Sequence, residues 1–271
     1  MRPHDEVAAL LIEQTGIGHN GGPPLDIDAV VGAMSDEDVA ALLAPMLAHE
    51  DAQRFNKFER LFPETGPLRR DLYEKHMEFF AAGKTHTERL FMAANRIGKT
   101  VGGSYEATAH STGLYPEWWP GRKFSYPTHG WAAGDTNETT RDIIQKELFG
   151  EVTYKNNKKT FDGSGMIPPD HIGPCTWKQG VANLADVVKV RHVTGGWSTI
   201  GLKSFDQGRR VFQGTAKDWI WLDEECPVDV YGECLIRLMT TRGLLLVTFT
   251  PLLGMSEVVL SFMPEDMRPS T

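Results

Sequence analysis

The spacing of apolar residues changes along the chain at about residue 88. Before this point apolar residues recur at helical intervals and predict three short helices, over 6–14, 35–49 and 68–82. Ser35 is expected to cap the second helix, with Asp38 in the capping-box position. The segment 15–24, rich in Gly and Pro, predicts a linker, because it lacks the Gly-Lys-Thr ending of a phosphate-binding loop.

Beyond residue 88, short apolar runs alternate with stretches long enough for helices. The runs lie at 89–94, 130–133, 187–193, 211–212, 219–222 and 244–249. Runs that are apolar on both faces are typical of the buried strands of a parallel sheet. The pattern therefore predicts an α/β fold, with a mostly parallel central sheet flanked by helices. The segment 150–180, rich in Lys, Asn, Gly and Pro, is expected to be an excursion from that sheet.

The composition is that of an ordinary globular protein. Of 271 residues, 41% are hydrophobic and 24% are charged, which excludes collagen-like, disulfide-scaffold and fully disordered chains. No apolar run approaches the ~20 residues of a membrane-spanning helix, and the N-terminus lacks the apolar segment of a secretory signal. Three widely spaced cysteines favour a reducing compartment. We therefore expect an intracellular protein that does not enter a membrane.

Acidic charge is concentrated in the first quarter of the chain. Residues 1–64 hold 4 basic and 12 acidic side chains, whereas the remainder holds 24 of each. A neutral body does not predict broad coating of nucleic acid, because phosphate binding requires clustered Lys and Arg. The one basic run, with Lys155, Lys158 and Lys159, is either a solvated loop or a contact with DNA phosphates.

The most specific motif follows the apolar run at 89–94. Residues 93–100 read A-A-N-R-I-G-K-T and match the phosphate-binding pattern G-x-x-x-x-G-K-[ST], with Ala93 at the first Gly position. In such a loop, backbone N–H groups hold phosphate oxygens, Lys99 reaches the β- and γ-phosphates, and the Thr100 hydroxyl binds Mg²⁺. The alternative is a chance Gly-Lys-Thr at a helix start. The predicted nucleotide-binding residues of the loop are Ala94, Asn95, Arg96, Ile97, Gly98, Lys99, Thr100 and Val101.

A second candidate motif ends the apolar run at 219–222. Asp223 and Glu224 follow it directly, so a buried strand would deliver two carboxylates to the edge of the sheet where α/β proteins bind ligands. We expect Asp223 to hold Mg²⁺ through water and Glu224 to polarise the attacking water as the general base. An acidic, solvated turn is the alternative for these two residues considered alone.

A third motif lies at the end of the apolar run 244–249. Thr248 and Thr250, followed by Pro251, place small hydroxyls where the presence of a γ-phosphate could be sensed and passed on. A plain strand that runs into a Pro turn explains the same residues equally well. The two threonines are therefore candidates for sensing whether a γ-phosphate is present.

Together these motifs resemble the large terminase subunit of tailed bacteriophages, the ATPase that drives DNA into capsids. The likeness covers roughly residues 65–260 and rests on the segments 94–100, 134–136, 213–218, 219–225, 240–243 and 248–251. It implies a RecA-like P-loop NTPase fold of the additional-strand class. It also implies that 248–251 is the coupling motif, and that the helix with Tyr73, His76 and Phe79 packs against the adenine.

The resemblance implies Mg²⁺-dependent hydrolysis of ATP that powers the translocation of double-stranded viral DNA into a procapsid. The implied partners are the small terminase subunit, the portal protein and further copies of this chain in a ring. The expected location is the host cell cytoplasm, without retention in the mature virion. Another nucleic-acid motor, such as a helicase, and a nucleotide-gated assembly module without enzymatic activity remain alternatives.

Two arginines are candidates for stabilising charge on the departing γ-phosphate. Arg96 lies within the loop and would act in cis, although many family members place this arginine at the position of Asn95. Arg210, beside Arg209, would act on a neighbouring subunit of a ring. A solvated surface turn is the alternative for the adjacent pair.

The family usually carries a metal-dependent nuclease domain after the ATPase domain. This sequence ends at Thr271 without a later acidic triad, so we expect no DNA cleavage by this chain. The predicted organisation is an acidic arm over 1–64, the ATPase domain over 65–255, and the start of a linker to the absent nuclease domain over 256–271.

Overall fold

The computed structural model describes residues 34–251, 254 and 256–263. The chain divides into two compact units, Met1–Asn56 and Lys57–Thr271. The division precedes the expected boundary at residue 64, because Phe58 and Phe62 belong to the aromatic core of the second unit. The predicted helix over 6–14 and the linker over 15–24 lie outside the described residues.

In the first unit, helix α1 (Asp36–Phe55) begins where the sequence predicts. The Ser35 hydroxyl accepts a hydrogen bond from the backbone N–H of Asp38 and donates one to the Asp38 carboxylate, at 3.2 and 2.6 Å. The acidic first turn also complements the positive end of the helix dipole. The helix continues beyond the predicted end at His49 as far as Phe55.

The strands of the second unit, within the described residues, are β1 (Glu88–Met92), β2 (His129–Gly134), β3 (Val152–Lys155), β4 (Lys158–Phe161), β5 (Ile172–Trp177), β6 (Ala185–Arg191), β7 (Trp197–Ser204), β8 (Trp219–Asp223) and β9 (Leu244–Phe249). Seven of them form one sheet with the order β1-β9-β8-β2-β7-β6-β5. Strands β1, β9, β8, β2 and β7 are parallel to one another, whereas β6 runs antiparallel to both of its neighbours, β7 and β5. The other two strands, β3 and β4, form a separate hairpin.

Helices cover both faces of this sheet, so the predicted α/β fold with a mostly parallel central sheet is confirmed. Strand β8 shows why its residues are apolar throughout: Trp219 and Trp221 pack into one hydrophobic cluster, and Ile220 and Leu222 into the other. The α-helices are α2 (Lys57–Arg60), α3 (Glu74–Ala82), α4 (Lys99–Thr112), α5 (Asn137–Thr139), α6 (Lys146–Phe149), α7 (Val228–Met239) and α8 (Glu257–Phe262). A π-helical stretch, Thr140–Gln145, connects α5 to α6, and 3-10 turns lie at Arg70–Tyr73, Pro169–His171, Phe205–Gln207 and Arg209–Phe212.

Several predicted elements differ from the structure. The strand predicted at 211–212 is wrong: these residues end a 3-10 turn and bury Phe212, because a run of two apolar residues does not distinguish a turn from a strand. The prediction that all of 150–180 leaves the sheet is also wrong, since β5 pairs with β6. The helix predicted from 68 begins only at Glu74, after a 3-10 turn. In the expected linker, α8 forms because Val258 and Val259 are buried in the second hydrophobic cluster.

A close approach between α4 and β8 sets the distance between this helix and this strand. A Cβ atom at Gly103 would overlap the indole ring of Trp221. Gly103 is buried in the middle of α4, so a side chain there has no space to occupy. The glycine therefore permits the helix to lie directly on the ring.

Replacing Gly103 by Ala is expected to destabilise the protein by about 1–3 kcal/mol, because the added methyl group overpacks this contact. Gly232 in α7 is the matched control, since a Cβ atom there meets nothing within 4 Å. Gly232→Ala should stabilise the protein by roughly 0.5–1 kcal/mol through its effect on helix propensity. Chemical denaturation of both variants measures the difference, and equal effects would contradict the packing argument.

Candidate active site

The predicted phosphate-binding loop connects β1 to α4. Gly98 lies at φ +86° and Arg96 at φ +64°, both in the left-handed region that lets the chain turn sharply into the helix. Since α4 begins at Lys99, its unpaired N–H groups face the loop. The Lys99 ammonium group lies inside this turn and donates to the Ala94 carbonyl at 2.7 Å and the Thr250 hydroxyl at 2.8 Å.

His76 of α3 supports the loop from the protein interior. Its Nε2 lies 3.0 Å from the Gly98 carbonyl oxygen, which only accepts, so Nε2 carries the proton. Burial lowers the pKa of His76, and the neutral ring packs edge-on against Phe91 of β1 at 4.8 Å between centroids. A Cβ atom at Gly102 would lie 3.1 Å from the same ring. His76 therefore fixes both the loop and the first turn of α4.

Tyr73 packs edge-on against His76 at 5.6 Å and is half-buried. The predicted contact of Tyr73 and His76 with an adenine stays a prediction. The geometry shows in addition that His76 positions the loop, which the sequence pattern did not indicate.

Asp223, at the end of β8, is the buried carboxylate of the site. It accepts hydrogen bonds from the Thr100 hydroxyl at 3.0 Å and from the Thr248 hydroxyl at 2.6 Å. Burial raises the pKa of Asp223 to about 7, against the opposing effects of these two hydrogen bonds and of Lys99. Strand order brings these groups together, because β9 lies between β1 and β8 and aligns Thr248 with Asp223.

The oxygen atoms of Thr100 and Asp223 fit a magnesium ion. Mg²⁺ prefers hard oxygen ligands and is commonly held by one or two carboxylates together with substrate phosphates and water. Within the described residues, no group of three or more His, Cys, Asp and Glu side chains could hold a metal ion by itself. A cation here would therefore share its ligands between Thr100, Asp223 and a bound phosphate.

The two candidate coupling threonines contact the two charged groups of the site. Thr248 accepts a hydrogen bond from Trp221 Nε1 at 2.8 Å, which leaves its single proton for Asp223. Thr250 accepts from Lys99 and donates to Asn95 Oδ1 at 2.6 Å. Strand β9 is thus hydrogen-bonded to the carboxylate through Thr248, and the residue that follows the strand, Thr250, is hydrogen-bonded to the loop.

Glu224 lies at the same edge of the sheet. Its φ of +101° is a strained conformation for a residue with a side chain, with a typical cost of about 1–3 kcal/mol. The backbone N–H of Glu224 donates to the Thr248 carbonyl at 2.8 Å, which holds this turn in place. Partial burial and the neighbouring Asp135 raise the pKa of Glu224, while Lys99 opposes them. The sequence pattern gave no signal for the strain or for Asp135 as a neighbour.

The candidate arginines differ in their surroundings. Arg96 is exposed on the loop. Arg209 donates to the buried carboxylate of Glu233 at 2.9 Å, so it serves to attach its turn to α7. Arg210 is exposed and, among the described residues, forms no side-chain hydrogen bond or ion pair. Of the adjacent pair, Arg210 is therefore the one available to another molecule.

A buried polar network behind the loop was not predicted. Arg89 of β1 donates to Glu106 of α4 at 2.6 and 3.0 Å and to the Phe79 carbonyl of α3 at 2.7 Å. Glu106 also accepts from His110 Nε2 at 3.0 Å, and His110 Nδ1 lies 2.9 Å from the Tyr115 hydroxyl. The network connects β1, α3 and α4, which together carry the loop. The sequence indicated this network only through Arg89, a charged residue within the apolar run 89–94.

Acid should destabilise the protein through His110. Burial lowers the pKa of His110, so below about pH 6.5 the unfolded chain binds a proton that the folded chain does not, and stability falls as pH falls. His110→Gln keeps a donor for Glu106 but does not titrate. Between about pH 8 and about pH 5, its melting temperature should therefore fall less than that of the wild type.

The exposed His129 provides the matched control for this experiment. His129→Gln should follow the wild-type dependence of melting temperature on pH. An identical acid-induced loss in wild type and His110→Gln would show that the buried ring is not neutral.

The fold and the loop define the class of protein. A phosphate-binding loop between the edge strand β1 and α4, with an additional strand, β9, inserted before the strand that ends in Asp223, is the architecture of an additional-strand P-loop NTPase. A family model described as "Terminase large subunit, T4likevirus-type, N-terminal" matches residues 90–270. The large terminase subunit of Salmonella phage P22 is 34% identical over 263 residues, which cover 90% of this chain and 50% of the relative. The chain belongs to the large terminase subunit family, and it spans about half the length of this curated relative.

Solved structures with a related fold include the large terminase ATPase domain of Thermus phage P74-26, with a TM-score of 0.34 and 15% identity over 66% of this chain and 68% of that chain. The large terminase of a thermophilic bacteriophage in complex with ADP matches with a TM-score of 0.39 and 14% identity, over 65% of this chain and 37% of that chain. The family assignment rests on the two sequence matches, to the family model and to the phage P22 subunit. In the described part of the chain, no helix combines the length and apolar character needed to cross a membrane.

Proposed function

We propose that this chain hydrolyses ATP with Mg²⁺ and that hydrolysis drives double-stranded viral DNA into a procapsid. The observation that carries the proposal is the continuous set of contacts among the three motifs: Lys99 with Thr250, and Asp223 with both Thr100 and Thr248. Two of these three contacts join residues more than a hundred positions apart in the sequence, and all three lie at one edge of the sheet. The family membership supports a packaging role for this chemistry.

Different groups of the loop would bind different parts of the triphosphate. Backbone N–H groups of 94–98 and the N-terminus of α4 would hold phosphate oxygens, and Lys99 would contact the β- and γ-phosphates. Thr100 and Asp223 would hold Mg²⁺, which supplies positive charge against the phosphates when it is bound. Glu224 would orient the attacking water and accept its proton.

Coupling to movement would begin at Thr248 of β9 and at Thr250, which follows this strand. A γ-phosphate competes with Thr250 for the Lys99 ammonium group, and a cation at Asp223 competes with Thr248 for the carboxylate. Both changes would alter hydrogen bonds made at the end of β9, so the segment 248–250 would register the state of the nucleotide. In this proposal Thr248 responds to the cation at Asp223, and Thr250 responds to the phosphate at Lys99.

The proposed partners are double-stranded viral DNA, the small terminase subunit, the portal protein and further copies of this chain in a ring on the procapsid. We place this assembly in the host cell cytoplasm and not in the mature virion. In such a ring the exposed Arg210 of one subunit would reach the nucleotide of its neighbour, whereas Arg96 is the candidate in cis.

Two substitutions should separate binding from hydrolysis. Lys99→Ala removes the ammonium group that contacts phosphate, so the affinity for ATP should fall. Glu224→Gln keeps the shape of the side chain without its basicity, so ATP should still bind while turnover falls by about 10²–10⁴-fold. Binding of a fluorescent ATP analogue and release of inorganic phosphate measure the two effects.

Wild-type turnover by Glu224→Gln would remove the general base from the proposal. Phosphate release by the wild-type chain also distinguishes an enzyme from a nucleotide-gated assembly module. A strand-displacement assay distinguishes a packaging motor from a helicase, because only a helicase separates the strands of a duplex. Stimulation by the small terminase subunit and the portal is expected only of the packaging motor.

Arg210→Ala should spare ATP binding and lower turnover in the assembled ring by about 10³–10⁵-fold, the range known for arginine fingers. Arg191, which is exposed at the opposite edge of the sheet, is the matched control, and Arg191→Ala should hydrolyse ATP normally. Mixing Arg210→Ala with Glu224→Gln subunits should restore part of the turnover, because a site with an intact Glu224 then receives Arg210 from a neighbouring Glu224→Gln subunit. Unchanged turnover in Arg210→Ala would contradict a role in trans.

A further inference from the structure

The β3–β4 hairpin projects a rigid polar turn outside the main sheet. Asn156 and Asn157 have φ values of +51° and +57°, which is the pattern of a two-residue type I′ turn. This turn fixes the register, so Lys155 lies directly opposite Lys158. Neither lysine takes part in the active site, and the sequence pattern leaves their role open.

The charge of this turn is uncompensated. Two like charges directly opposite each other on paired strands are destabilising. Among the described residues, Lys155 and Lys158 form no ion pair, and the acid at the start of the hairpin, Glu151, is paired with Lys146. The positive charge therefore faces solvent without a protein partner to offset it.

An aromatic ring extends the same surface. Tyr154 is 70% exposed, beside the turn, and pairs across the hairpin with Lys159. The Lys159 ammonium group lies 4.2 Å from the centroid of the Trp177 ring, which holds this lysine along the base of the hairpin. Since Phe161 of β4 is buried against Trp177, the hairpin is anchored at its base and exposed at its turn.

We infer that this hairpin turn, residues 154–158, is a contact site for the phosphate backbone of double-stranded DNA. The inference rests on the proposed packaging function. Lys, Asn and Tyr side chains are donors that proteins use toward phosphate oxygens, and all five residues of the turn are of these types. A backbone of regularly spaced phosphates supplies the negative charge that the opposed lysines lack. Residues 65–271 hold equal numbers of basic and acidic side chains, so we expect contact with DNA at this turn and not over a broad basic surface.

The test is the affinity of the chain for a short fluorescein-labelled DNA duplex, measured by fluorescence anisotropy across a salt series. The double variant Lys155→Glu, Lys158→Glu should bind at least about tenfold more weakly, and the slope of log affinity against log salt should fall by about 2, since each lost phosphate contact contributes about 0.9. The variant Lys155→Arg, Lys158→Arg should retain binding, because it keeps the charge. The control Lys84→Glu, Lys123→Glu reverses two exposed lysines elsewhere and should bind like the wild type.

Equal affinity of the glutamate variant and the wild type would overturn the inference, and so would an absence of binding by the wild type at low salt. A hairpin that contacts an acidic protein surface in place of DNA would give the first of these results. Hydrolysis of ATP without DNA should be the same in all four proteins. Loss of hydrolysis in every one of them would refute the proposed function. Unchanged DNA affinity of the glutamate variant, together with normal hydrolysis, would refute only the contact between the hairpin and DNA.

Discussion

The carboxylate of Asp223 is the group on which the arrangement of the site depends. It is buried, which raises its pKa to about 7, and it is satisfied by hydroxyls from two other elements, Thr100 on α4 and Thr248 on β9. Burying an ionisable group without such donors is costly. The insertion of β9 between β1 and β8 is therefore a chemical requirement, because without it Thr248 would not lie beside Asp223.

Pairs of glycine and tryptophan connect this site to the hydrophobic core. The ring of Trp219 occupies the space that a side chain at Gly130 would fill, and the ring of Trp221 occupies the space that a side chain at Gly103 would fill. Close packing of this kind transmits small displacements, because protein interiors contain few voids. Trp221 also donates to Thr248, so the packing of α4 against β8 orients the hydroxyl that binds Asp223. The core and the edge of the sheet that carries the candidate site are thus parts of one structure.

Those features of the fold and the candidate site that depend on residues close together in the sequence were predictable. The loop, the acidic strand end and the parallel strands follow from contiguous patterns, since apolar runs identify strands that are buried on both faces. Strand β7 was not predicted, because it is rich in small and polar residues and shows no apolar run. One of these small residues, Gly201, is required by a distant contact, since a Cβ atom there would lie 2.8 Å from the indole of Trp131. The position of His76 and the bonds from Arg89 to Glu106 were not predicted either, because a polar side chain is buried only where distant residues satisfy it.

The number of donors on Lys99 limits how the site can respond to a nucleotide. An ammonium group has three N–H donors, and two of them already bind the Ala94 carbonyl and the Thr250 hydroxyl. One donor would therefore be left for a triphosphate, and a second phosphate contact would require that Lys99 release one of its present partners. The Ala94 carbonyl belongs to the loop itself, whereas Thr250 follows β9. Release of Thr250 leaves that residue with its bond to Asn95, so an exchange at one ammonium group suffices to change how β9 is held.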